Sequence, residues 1–429
     1  MRRRLFHKAR LICPAQALDS KGWLVIDDGL IAETGSDTPP DALLASADEV
    51  IDCTGLILGP GLVDMRAETR DPGAEHLETL DTLLAAAAAG GITSLAIQPQ
   101  TDPVIDNAAL IDSLQLRASR RQGPHLYCHG AMSRNLDGTQ MAELGMMAAS
   151  GAVGFSNGYS SIQDTQTMRR ILTYAAMLDK PVMHHCEDIS LSDGSDMNEG
   201  ATSTRLGLIG SPIEAETIIL ERDLQLVRLT GARYHAAHLT TAKSVEAVRR
   251  AKNEGLPVTA DTSAPYFQLN ELAVSTYSSA AKLNPPLRTE DDRQAIMAAL
   301  ADGTIDVIAS DHVPVNPDMK HLPFSLASCG ASGLEVMLVM TLRLVLNDVI
   351  SWQRAFELLS LAPATILDIP GGSLVVGTEA DIALIDPRTS WIVTGREFNS
   401  LSRITPFEGQ PVEGRAVRTI VGGADIFIR

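Results

Sequence analysis

ILGPGLVDM at residues 57–65 is followed by EHLETLDTLLAAAAA at 75–89, by Gly90-Gly91, and by ITSLAIQ at 92–98. A short apolar run, a longer run with helical spacing, a glycine stop and a second apolar run make one strand–helix–strand unit. The pattern then repeats. Further β-type runs lie at 125–131, 152–156, 181–185, 233–238, 257–261 and 305–310, and helical runs intervene at 107–121, 165–178, 212–229, 242–253 and 290–301. Eight strands alternating with helices predict an α/β fold, a (β/α)8 TIM barrel over residues 57–370. A doubly wound open sheet is the rival; no Gly-x-Gly-x-x-Gly turn follows the first strand to support it.

The flanks read differently. Residues 1–56 and 371–429 carry short β-type pieces (24–27, 30–32, 382–385, 416–421, 426–428) with turns at Asp27-Asp28-Gly29, Gly371-Gly372 and Gly422-Gly423. Neither flank is long enough for a stable sheet alone, so the two are expected to pair into one small composite β domain.

Of 429 residues, 45% are apolar and 21% charged, enough for a buried core and unlike a disordered or collagen-like chain. The formal charge of −18 and the 4% aromatic content disfavour nucleic-acid binding, since an acidic surface repels phosphates and few rings are available for stacking. Five scattered cysteines without a Cys-x-x-Cys pair fit a reducing compartment. The basic opening, Met1 to Lys8, lacks a following apolar stretch before Asp19. The most apolar helical stretch, 334–350, is interrupted by Glu335 and Arg343, too charged and short to span a bilayer. The expectation is a soluble cytoplasmic protein with no membrane contact.

Barrel enzymes place their chemistry at the C-terminal ends of the strands. Those ends carry Arg66, Glu68 and Arg70 after the first strand and Gln100 after the second. Asn157 follows the fourth, His184-His185 the fifth, His235 and His238 the sixth, and Asp311-His312 the eighth. Two imidazoles and a carboxylate are the donors a catalytic divalent ion takes. The plainer alternative is that each histidine is a hydrogen-bonded core residue. His184 and His185 are neighbours, so at most one of them points into the barrel.

At these residues the chain resembles the type I dihydroorotases of the amidohydrolase superfamily. The matching stretches are Pro60-Gly61-Leu62-Val63-Asp64, Arg70-Asp71-Pro72-Gly73, Ala88-Ala89-Gly90-Gly91-Ile92-Thr93 and His185-Cys186-Glu187-Asp188. Further matches are Asn198-Glu199-Gly200, Asn284-Pro285-Pro286-Leu287-Arg288, Ser310-Asp311-His312 and Gly377-Thr378-Glu379-Ala380-Asp381-Ile382. The resemblance implies the same barrel and composite β domain. It also implies His185 and His238 as residual metal ligands, Asp311 as the catalytic acid–base, and Arg70, Gln100, Asn284 and Gly330 as the substrate shell. Where active relatives carry His-x-His, this chain has Arg66 and Glu68. Asn157 and Gly158 stand at the bridging aspartate, and Val315 at a later histidine. A guanidinium where an ion should sit disfavours that ion by like charge, and Arg66 is expected to pair with Glu68 or Asp311 instead.

Two functions follow from the resemblance. The first is a non-catalytic dihydroorotase homologue of pyrimidine synthesis, without bound metal, acting in an oligomer as a structural partner of aspartate transcarbamoylase. The second is an active dihydroorotase or related cyclic amidohydrolase with one Zn²⁺ on His185 and His238, taking a dihydroorotate-like small molecule.

Overall fold

The computed structural model describes residues 3–429. The basic opening begins at Met1 and Arg2, which lie outside the described residues. From Arg4 the chain forms a strand. Five strands come first: β1 (Arg4–Cys13), β2 (Leu18–Asp27), β3 (Leu30–Ser36), β4 (Glu49–Asp52) and β5 (Ile57–Pro60). Ten follow through the middle of the chain: β6 (Leu62–Ala67), β7 (Ile92–Ile97), β8 (His125–Ala131), β9 (Gly154–Ser156), β10 (Val182–His185), β11 (Met197–Asn198), β12 (Gly210–Ser211), β13 (Tyr234–Ala237), β14 (Val258–Ser263) and β15 (Val307–Ala309). The last three are β16 (Ile382–Ile392), β17 (Pro411–Val421) and β18 (Ala424–Ile428).

Strands β6, β7, β8, β9, β10, β13, β14 and β15 lie side by side in chain order, all parallel where they pair. The ring nearly closes through the bridge between Ala67 and His312 and the Glu68 N–H donated to the His312 carbonyl at 2.8 Å. This is the expected TIM barrel. Helices cover it outside, and their local sequence explains them. Leu80–Ala89 starts at Thr79, whose hydroxyl accepts the Thr82 N–H while the Thr82 hydroxyl accepts the Thr79 N–H, a reciprocal cap worth about 1 kcal/mol. Its Leu80, Leu83 and Leu84 are buried against the barrel, each contributing about 1.5–3 kcal/mol. Inside the barrel, Met65, Ala96, Met183 and Val307 pack with Ile366 and Leu367.

The second sheet runs β18-β17-β16-β5-β1-β2-β3, with β4 also on β1. It therefore mixes strands from both ends of the chain. One boundary needs correction. The run 57–65 is two strands: β5 pairs with β1 and β16 in the small sheet, and the barrel begins at β6 beyond Gly61. Apolar demand is equal on both sides of the break, so the hydrophobic pattern is continuous across it. Among the described residues, no helix is long and apolar enough to cross a membrane.

Candidate functional site

The C-terminal ends of β6, β10, β13 and β15 bring Arg66, His185, His238 and Asp311 together. Two of them sit at left-handed backbone angles, His238 at φ 37° and Asp311 at φ 47°. That conformation costs a non-glycine residue about 1–3 kcal/mol and persists only where surrounding contacts hold it. Here side chains from four strands do so.

Arg66 is 1% exposed. Its Nε donates to Asp311 Oδ1 at 3.0 Å, its Nη2 lies 3.4 Å from His238 Nε2, and its guanidinium carbon sits 5.2 Å from the centre of the Tyr159 ring. Burial opposes the Arg66 charge, but Asp311 outweighs it and lifts the group above its ordinary value. Asp311 is the reciprocal case. Burial would raise its carboxyl, yet His238, Arg66 and the Tyr159 hydroxyl, which donates to Oδ1 at 2.8 Å, hold it well below the usual carboxylate range. Burial and the nearby Arg66 charge push His238 down to about 4, so it is neutral at pH 7.

Asp311 Oδ2 is 3.3 Å from His238 Nδ1 and Glu187 Oε2 is 2.9 Å from His185 Nε2. Carboxylates accept, so the protons of these two contacts lie on His238 Nδ1 and His185 Nε2. That leaves His238 Nε2 and His185 Nδ1 facing each other at 2.6 Å. Bound to one tetrahedral Zn²⁺ at about 2.0–2.1 Å each, they would stand about 3.3 Å apart. The guanidinium of Arg66 occupies the adjacent space, 3.4 Å from His238 Nε2, and Asp311 is committed to it at 3.0 Å. The residues present do not fit a divalent ion here.

The remaining expected residues divide. Glu68 is 2% exposed and carries an ion pair to Arg70 Nη2 at 2.6 Å; burial raises its carboxyl despite Arg70 and Arg66. Arg66 and Glu68 both face the interior rather than solvent. Asn284 donates toward Glu187 Oε2 at 3.4 Å, and it lines one cleft with Asp311, Tyr159, Ser263 and Gly330. Arg70 and Gln100 do not line that cleft. Arg70 Nε and Gln100 Oε1 are buried without a hydrogen-bond partner. Asn157 has turned away: its Oδ1 accepts the Ser133 N–H and hydroxyl, and its Nδ2 donates to the Leu136 and Ser160 carbonyls. Val315 is buried, its N–H on the Ser402 hydroxyl.

Two participants carry no role in the sequence reading. Glu187 lies within the quoted His185-Cys186-Glu187-Asp188 match, and burial would raise its carboxyl, but His185 holds it down to about 2. Tyr159 had only one signal, an aromatic residue directly after a glycine at a strand end. Behind the centre, His184, Cys186 and Asp223 form a second group of possible ligands. Its donors are committed: His184 Nδ1 to Asp223 at 2.6 Å, His184 Nε2 to the Ile162 N–H at 2.9 Å, and Asp223 also to Arg222 and Tyr234. These bonds brace the β10 end.

A family profile described as Dihydro-orotase-like matches residues 55–244. The chain is 42% identical over 420 residues to a dihydroorotase of Syntrophotalea carbinolica, covering 98% of this chain and 97% of that one. It is 39% identical over 421 residues to a dihydroorotase of Anaplasma phagocytophilum, covering 98% and 94%. Among solved structures, the L-hydantoinase (dihydropyrimidinase) of Arthrobacter aurescens superposes with a TM-score of 0.89 at 24% identity, over 100% of this chain and 96% of that one. That likeness shows the shared fold. With the barrel, the strand-end residues and full-length identity of this order in agreement, the chain belongs to the dihydroorotase family.

Proposed function

We propose that the chain is a metal-free member of this family that does not open the dihydroorotate ring and serves as a structural partner of aspartate transcarbamoylase in the cytoplasm. One observation carries the reading: Arg66 is seated on Asp311 and beside His238, where its permanent charge displaces a divalent ion. Asp311 is then spent on Arg66, His238 and Tyr159 and is not poised to move protons. The five cysteines, all free thiols, suit a reducing compartment.

The decisive experiment measures zinc content and dihydroorotate hydrolysis and cyclisation on the same preparation, with and without the transcarbamoylase. Substoichiometric zinc and no turnover, with co-elution of the two proteins, support the reading. Stoichiometric zinc with metal-dependent turnover that Asp311→Ala abolishes overturns it. A second reading has its own support. The relatives are named dihydroorotase at about 40% identity over their whole length, which favours an active enzyme with one zinc on His185 and His238. That reading requires Arg66 to leave Asp311, and the same measurement decides it.

A further inference from the structure

The cleft beside Asp311 has a free volume of about 20 Å³, room for about one water and far short of a six-membered ring. Tyr159 lines it beside Asp311. Its ring lies 5.3 Å from that of His185, edge-on, and 5.3 Å from that of His238, with the Arg66 guanidinium on its face and its hydroxyl donated to Asp311. Those are the contacts a bound planar ring with a polar substituent would make at this centre. Burial and the Asp311 charge hold the phenol protonated, so it acts as a donor.

The loop that carries Tyr159 is fixed at both ends. Before it, the Asn157 amide ties the turn to Ser133, Leu136 and Ser160. After it, the Ile162 N–H is held by His184 Nε2 at 2.9 Å, and the Ser161 hydroxyl lies 3.3 Å from the same nitrogen. Between them Gly158 takes φ +59°, and a Cβ there would collide with the Gln100 side chain. These bonds hold the backbone in an arrangement that turns the phenol inward.

From this geometry we infer that Tyr159 is a built-in occupant of the pocket, excluding ring-shaped ligands from the centre. The inference rests on the metal-free reading above and deepens it. Its test runs in chelator, so that metal content and occlusion are read separately. Isothermal titration of the full chain with orotate, a planar six-membered acid, compares the wild type with Tyr159→Ala, Tyr159→Ser and Tyr159→Phe. The expected result is no measurable binding by wild type or Tyr159→Phe, which keeps the ring, and at least about tenfold tighter binding by the two small variants. Tyr159→Ser stands in where Tyr159→Ala does not fold. Orotate binding by the wild type as tight as by the small variants overturns the inference. So does failure of both folded small variants to bind. A zinc-loaded wild type would instead overturn the metal-free reading, whatever the titration shows.

Discussion

Replacing Arg66 by methionine keeps most of the aliphatic volume and removes the charge. The loss falls on an ion pair whose partners are 2% and 10% exposed at their side chains. Deleting one member of a buried pair costs about 3–5 kcal/mol, because the other charge is left uncompensated. Lost contact with the Tyr159 face adds to this by about 0.5–2 kcal/mol. Asp311→Asn in the same background removes the stranded charge. The double variant should therefore be more stable than Arg66→Met alone, with a coupling energy of about 2–3 kcal/mol between the two positions. The assay is urea unfolding of wild type, both single variants and the double variant at pH 7 in chelator. The reasoning fails if Arg66→Met costs less than about 1 kcal/mol, the range of solvated ion pairs. It fails equally if the two changes add within about 0.5 kcal/mol.

Asn157→Asp should destabilise by about 1–3 kcal/mol, because a carboxylate cannot donate to the Leu136 and Ser160 carbonyls; thermal melting and faster amide exchange over 157–162 would report it. Arg66→His, Glu68→His and Asn157→Asp together should take up more zinc than the wild type, read by metal analysis on folded protein; equal uptake would show that the centre has lost more than these positions. The His125 imidazole, beside Asp381 at 3.1 Å, is raised by that hydrogen bond, so its contribution is complete below its unfolded value of about 6.5 and is lost as pH rises through the higher folded value. The difference in urea midpoint between wild type and Asp381→Asn should shrink with rising pH over that window. His238, held down to about 4, acts oppositely: the fold loses stability as pH falls from about 6.5 toward 4, and Arg66→Met should narrow that acid-side loss.

The alternation of strand and helix was legible because each barrel element satisfies its own periodicity. The helix at Ala242–Asn253 keeps its predicted bounds, and β8 does as well. Strand β1 was not legible. Its arginines stood out only as a basic opening with no apolar stretch after it, but Arg4 is buried by a two-pronged bond to Asp425, a partner at the far end of the sequence. The exchange of Arg66 and Glu68 for ligands stood in the sequence, as did the surviving His185, His238 and Asp311. The close approach of two imidazole nitrogens did not, since it depends on Glu187 and Asp311 fixing the outer nitrogens. Tyr159 was hidden for a similar reason. Its direction is set by the Asn157 amide and a backbone bond to His184, neither of which leaves a periodic trace.

Strand β5 joins β16 edge to edge, but Ile57 and Ile382 are separated by almost the whole barrel. On the ribosome, at about 5–20 residues per second, the roughly 320 intervening residues take about 15–60 s to appear. Throughout that interval the first five strands offer an unpaired edge and an uncovered apolar face, the features that attract wrong partners. The barrel can close in the meantime, so this protein would mature from the middle outward. Its vulnerable moment in a cell comes before the last fifty residues arrive, and chaperone dependence should concentrate there.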